Sequence, residues 1–158
     1  MRYEEFYKAN RARLVGIAYR ILRDRSDAED VVQNVCLVLL ENWETLKPLD
    51  LEAYTSRMVH NAAIEELRGR IEKEEIAEEL SPVVGGADQQ IIESEYRKML
   101  GDALAELPVN QRKALLLKQE RGLSYGEIAG LMNETEDNVR QLISRARRQL
   151  AAKSIKRN

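Results

Sequence analysis

The sequence predicts an all-α chain built as two small helical domains joined by a flexible linker. Three observations carry that expectation. Apolar residues recur at three- and four-residue spacing, and no alternating strand pattern occurs. Capping signals and prolines cut the chain into helix-length segments. Between residues 71 and 86 the composition changes, to five glutamates within Ile71–Leu80 and then Ser81-Pro82-Val83-Val84-Gly85-Gly86. Such a stretch breaks helices and offers little to bury. The expected boundaries are therefore 1–72 for the first domain, 73–87 for the linker and 88–158 for the second domain. Each half holds roughly 70 residues, a size at which one core gives marginal stability and a partner often supplies the rest.

In the first half, Phe6, Leu14, Ile17, Ala18, Ile21 and Leu22 trace one face of a first helix. A second helix is expected to open on Ser26-Asp27-Ala28-Glu29, which reads as a capping box. Val31, Val32, Val35, Val38, Leu39 and Trp43 carry it to a stop at Pro48. It is apolar on more than one face, which predicts a central position. A third helix is expected from about Leu51 to Arg70, with Tyr54, Met58, Ala62 and Leu67 on its inner side.

The second half resumes near Asp88. Ile91, Ile92, Met99, Leu100, Ala103, Leu104 and Leu107 form an amphipathic helix that Pro108 ends, and a further helix covers about Asn110–Arg121. A short helix then starts at Ser124-Tyr125-Gly126-Glu127, again a capping box. Asn133 suits a turn that needs positive φ, and a long last helix begins near Thr135. Ile128, Ala129 and Met132 are expected to face Val139 and Leu142 across that turn. This is the pattern of a helix-turn-helix, whose second helix enters the major groove with its N-terminal side chains on base edges. Glu136, Asp137, Asn138, Arg140 and Gln141 are the candidate base readers, and Arg145, Arg147, Arg148 and Lys153 the candidate phosphate contacts.

Charge supports that reading. The whole chain carries a net charge of −2, yet from Pro108 onward there are eleven Lys/Arg against five Asp/Glu. From Arg140 onward there are seven basic residues and no acidic one. A one-sided basic distribution of this kind is an electrostatic footprint for nucleic acid.

Other classes are disfavoured. One cysteine, Cys36, excludes an internal disulfide framework and a Cys-based zinc site, and its apolar surroundings mark it as a core residue. The longest apolar run, Val35–Leu40, is far too short to cross a bilayer. The opening MRYEEFYKANR lacks an apolar signal-like segment. No membrane insertion and a reduced, cytoplasmic setting are expected. A single histidine rules out the paired Glu-x-x-His sites of bundle metalloenzymes, and no phosphate loop or nucleophile motif is present. No enzyme activity, cofactor, catalytic residue or metal ligand is expected.

The surrounding residues narrow the helix-turn-helix to a family. Ala103-Leu104-Ala105-Glu106-Leu107-Pro108 with Gln111-Arg112 resembles the opening of region 4 of the sigma-70 family of bacterial RNA polymerase sigma factors. Gly122–Ala129 resembles the core of that region and Arg145–Leu150 its close. Asp27-Ala28-Glu29-Asp30-Val31-Val32-Gln33 is similar to the region 2.2 signature, and Tyr54, Arg57, Asn61, Ala63 and Leu67-Arg68 fit the 2.3–2.4 pattern. Nearly the whole chain is covered, with no counterpart of regions 1 and 3, which suits the extracytoplasmic-function (ECF) group. Departures are Glu65-Glu66 with the acidic Ile71–Leu80 in place of a basic tail, Asn34 at a frequently acidic position, and Glu134 at a usually apolar one.

The resemblance implies a sigma factor that binds core RNA polymerase and recognises the −10 and −35 promoter elements. It implies docking of region 2 on the β′ clamp helices through Asp30, Gln33, Asn34 and Glu41. It implies capture of the melted −10 strand by Tyr54, Arg57, His60, Asn61, Arg68 and Arg70. Region 4 would bind the β flap and read the −35 duplex through Thr135, Glu136, Asp137, Asn138, Arg140, Gln141, Ser144, Arg145, Arg147 and Arg148. An anti-sigma factor is a further partner that the family suggests. The competing reading is a stand-alone helix-turn-helix regulator, which the Asp27–Gln33 signature disfavours.

Overall fold

The computed structural model describes residues 1–72 and 91–156. Every regular element among them is a helix. The chain divides into two compact units, Met1–Lys73 and Glu74–Asn158. The expected linker, residues 73–87, lies outside the described residues, as does the expected helix start near Asp88.

The first unit comprises α1 (Tyr3–Leu22), α2 (Arg25–Glu41), the single turn α3 (Trp43–Leu46) and α4 (Leu51–Glu72). Helix α1 starts with Glu4 and Glu5, which favour the positive end of the helix dipole, and ends on Arg23 in the left-handed region (φ 59°, ψ 22°). The Arg23 N–H closes that end by donating to the Tyr19 carbonyl. Phe6, Leu14, Ala18, Ile21 and Leu22 are buried as the spacing predicts.

The start of α2 corrects the expected cap. Asp24 is the N-cap, and its Oδ1 accepts from the Asp27 N–H at 2.9 Å. Aspartate caps as well as serine does, and here it follows directly on the left-handed turn, so the helix begins two residues before Ser26 could cap it. Glu29 instead lies 3.2 Å from Arg25 and 3.7 Å from Arg11. Helix α2 also ends sooner than expected. Asn42 turns its N–H back to Val38 and Leu39 and its Nδ2 to the Val38 carbonyl, closing the helix before Trp43. Trp43 then packs edge-on against Tyr3 (5.8 Å) and tilted against Phe6 (6.2 Å).

Helices α1, α2 and α4 pack against one another pairwise, so α2 does not take the expected central position and keeps one side open. Ala28, Val31, Val32, Val35, Cys36 and Leu39 fill that core. In α4 the inner face is rotated by one residue from expectation. Thr55, Val59, Ala63 and Leu67 are buried, whereas Tyr54, Met58 and Ala62 sit half-buried on the flank. A threonine tolerates this position because its Oγ1 donates to the Leu51 carbonyl at 2.6 Å.

The second unit comprises α5 (Ile91–Ala105), α6 (Val109–Gln119), α7 (Tyr125–Met132) and α8 (Glu136–Lys156). Helix α6 packs on α8 and α7, and α5 reaches α8. The core is Leu104, Leu107, Ala114 to Leu117, Leu123, Ile128, Leu131, Val139, Ile143 and Ala146. Leu131 and Ile143 thus take the buried positions expected of Met132 and Leu142, which are half-buried.

Candidate polymerase and nucleic-acid interfaces

The helix-turn-helix is held by local chemistry. Ser124 Oγ accepts from the Glu127 N–H at 3.1 Å, and Glu127 Oε1 accepts from the Ser124 N–H at 3.0 Å, completing the expected capping box. Asn133 adopts φ 56° and ψ 47°, as the turn requires. Thr135 Oγ1 then accepts from the Asn138 N–H at 3.1 Å, so Thr135 starts the last helix. Ala129 lies at the closely packed side of α7 and is buried.

This architecture leaves one side of α8 open. Thr135, Glu136, Asp137, Asn138, Arg140, Gln141, Arg145, Arg147 and Arg148 are exposed, and Ser144 is half-buried. Several are already engaged. Asn138 Nδ2 donates to Glu134 Oε2 at 3.1 Å. Arg140 lies 3.4 Å from Asp137 Oδ1 and 3.7 Å from Glu136 Oε2, with its Cζ 4.9 Å from the Tyr125 ring centroid. Lys153, expected at phosphate, is ion-paired to Glu106 at the end of α5. The pair ties the far end of α8 to its own unit.

On α4, Tyr54, Arg57, Asn61 and Arg68 follow one another at helical spacing along one face. Arg57 and Asn61 are exposed, whereas Tyr54, His60 and Arg68 are half-buried. Arg68 Nη1 donates to Glu65 Oε1 at 2.6 Å, so an acidic neighbour already engages that guanidinium. Arg70 departs from the expected set. Its side chain is buried, its Nη1 donates to the Leu22 carbonyl at 3.2 Å, and it forms an ion pair with Asp27. The physical reason is position: Arg70 lies where α4 meets the start of α2, and it satisfies a helix-end carbonyl and a carboxylate of its own unit. In this structure the guanidinium is thus engaged within its own unit.

On α2, Asp30, Asn34 and Glu41 share an exposed face, and Gln33 flanks it. The structure adds three residues that sequence reasoning had not placed there. Leu37 is 51 % exposed, Val38 44 % and Leu40 47 %. The signal was present, since the helix is apolar on more than one face, but it points equally to burial by a neighbour within the unit. Among the described residues no such neighbour covers them.

The titration shifts lie beside this face. Burial pushes the Cys36 thiol up, partly offset by its hydrogen bond with Tyr3. Burial, followed by the Cys36 charge, pushes Tyr3 up to about 12. Both shifts favour the neutral form at ordinary pH. Among the described residues no cluster of three His, Cys, Asp or Glu could hold a metal, and no helix is long and apolar enough to cross a membrane.

Comparison with known proteins places both units in one family. Residues 6–71 match the Sigma-70 region 2 family and residues 97–150 match Sigma-70, region 4. The chain is 29 % identical over 153 residues to the ECF RNA polymerase sigma factor SigE of Mycolicibacterium smegmatis, covering 94 % of this chain and 60 % of that protein. It is 27 % identical over 161 residues to the RNA polymerase sigma-E factor of Streptomyces coelicolor, covering 100 % of this chain and 89 % of that one. A solved structure of the sigma factor RpoE with the anti-sigma factor NepR from Bartonella quintana aligns with a TM-score of 0.41 at 18 % identity, over 94 % of this chain and 93 % of that chain. With region 2 and region 4 matched in order and all-helical units folded around them, the chain belongs to the sigma-70 family of RNA polymerase sigma factors, in its extracytoplasmic-function group.

Proposed function

We propose that this chain binds core RNA polymerase and directs it to promoters bearing −10 and −35 elements, with no catalysis of its own. Its site of action is then the cytoplasm. In this reading residues 1–72 serve polymerase binding and −10 capture, residues 88–158 read the −35 duplex, and residues 73–87 set the span between them.

One observation carries the reading: Leu37, Val38 and Leu40 are open apolar side chains on α2, set among Asp30, Gln33, Asn34 and Glu41. Exposed apolar surface rimmed by polar side chains marks a docking face. It supports a polymerase-dependent factor over a stand-alone regulator, because a single reading helix supplies only one half-site. Arg57 and Asn61 on α4 would track and read the melted strand, with Tyr54 or His60 as stacking surface and Arg68 adding charge once released from Glu65. Thr135, Glu136, Asp137, Asn138, Arg140 and Gln141 would meet base edges, and Ser144, Arg145, Arg147 and Arg148 the backbone. An anti-sigma factor would inactivate the protein by covering part of this apolar surface.

The test is binding of the labelled chain to core polymerase, followed by footprinting on promoter DNA. A complex that protects both elements, where neither component alone does, supports the proposal. Specific duplex binding by the chain alone, with no affinity for core polymerase, would establish the stand-alone regulator instead.

A further inference from the structure

The reading surface of α8 is shaped by a residue on α7 that has no side chain. A β-carbon on Gly126 would lie 2.6 Å from Glu136 Oε1 and 3.7 Å from its Cδ. Glycine therefore leaves the space that the Glu136 carboxylate fills. That space adjoins the first turn of α7, where the helix dipole favours negative charge. The other carboxylate oxygen, Oε2, faces Arg140 Nη2 at 3.7 Å, while Asp137 Oδ1 approaches Nη1 at 3.4 Å. The Tyr125 ring, next to Gly126, completes the setting with its centroid 4.9 Å from Arg140 Cζ. Lys118 Nζ lies 4.4 Å from the same centroid.

Each of these exposed contacts is weak alone. Together they restrict a long side chain before DNA arrives, so less freedom is lost on binding. They also change what Arg140 prefers. Two carboxylates beside a guanidinium repel phosphate, whereas its remaining N–H donors still match the O6 and N7 acceptors of guanine. We infer that Gly126 is a specificity-determining position, acting through Glu136 to hold Arg140 for a guanine in the −35 element. The inference rests on α8 being the duplex reader, as proposed above.

The steric conflict at Gly126 involves the far end of a flexible side chain, not backbone. Gly126→Ala should therefore displace Glu136 without disturbing the fold. Alanine also has the higher helix propensity, so the variant should melt at or above the wild-type temperature. A purely structural glycine would show the opposite.

The experiment uses holoenzyme reconstituted from core polymerase and the full chain. It transcribes templates with a randomised upstream region, and the enriched sequences are read from the transcripts. Wild type should select guanine at one −35 position. Arg140→Ala and Gly126→Ala should each lower that preference about tenfold and leave the other positions unchanged. Glu136→Ala should reproduce the Gly126→Ala effect, and combining the two should add nothing. The inference is overturned if Gly126→Ala keeps the guanine preference, loses preference evenly across the element, or melts lower. If wild type enriches no −35 sequence at all, duplex reading by α8 fails and takes the inference with it, which separates the two failures.

Discussion

The Asp27–Arg70 pair offers a quantitative test of the assignment of Arg70 to the fold. The Arg70 side chain is 10 % exposed and that of Asp27 40 %. Removing one partner of a fully buried pair costs about 3–5 kcal/mol, because the other charge is left uncompensated. Here the cost depends on which partner goes. Asp27→Asn leaves a desolvated guanidinium held by the Leu22 carbonyl at 3.2 Å, which brings the expected loss to about 2 kcal/mol. Arg70→Met leaves a carboxylate that can reach water and a side chain of similar length in the core, so the loss should be about 1 kcal/mol or less. For a unit of this size 1 kcal/mol shifts the melting temperature by about 4–8 °C. Asp27→Asn should therefore lower it by about 8–16 °C, and Asp27→Asn with Arg70→Met should recover most of that loss. Trp43, the sole tryptophan, reports the first unit inside the full chain by fluorescence. If both single variants melt with wild type while Arg70→Met abolishes promoter opening, the structural assignment of Arg70 is wrong and the strand-contact expectation is right.

Further outcomes follow from the same geometry. Leu37→Asp and Val38→Asp, at positions roughly half exposed, should leave the melting temperature unchanged but weaken binding to core polymerase about tenfold, measured by anisotropy of labelled protein. Arg147→Ala and Arg148→Ala should each reduce the salt slope of holoenzyme binding to promoter duplex by about 0.9 if each neutralises one phosphate. Asn133→Ala should destabilise the second unit by about 1 kcal/mol through its left-handed backbone, whereas Asn133→Gly should not. Tyr3, raised to about 12, holds its proton more tightly when folded than when unfolded. Its contribution is thus fully present below about pH 10, the ordinary tyrosine value, and is lost as pH rises through 12. Tyr3→Phe should flatten that part of the Trp43-monitored stability profile.

What the sequence made legible was local. The Ser124 capping box and the left-handed Asn133 depend on residues within a few positions of each other, and both stand in the structure as the spacing required. The all-helical class and the burial of Phe6, Leu14 and Leu22 followed from periodicity. Competing local solutions were harder to rank. Asp24 and Ser26 are both good caps, and only the chain's exit from α1 through Arg23 selects the former. The inner face of α4 was obscured because a polar residue, Thr55, occupies a buried position by bonding to its own helix.

Contacts distant in sequence were not legible at all. Asp27 and Arg70 stand 43 positions apart, and nothing in the composition around Arg70 separates a buried ion pair from a strand contact. Gly126 meets Glu136 across the turn, where the sequence shows only an unremarked glycine. Leu37, Val38 and Leu40 resemble core residues in any window of sequence, and only the folded unit reveals that no described residue covers them.

The most direct measurement of the central claim is genome-wide run-off transcription by bacterial core polymerase with and without this protein. The account predicts discrete new start sites, sharing −10 and −35 elements at fixed spacing, that disappear with Leu37→Asp. An unchanged set of transcripts on adding the intact protein would contradict it.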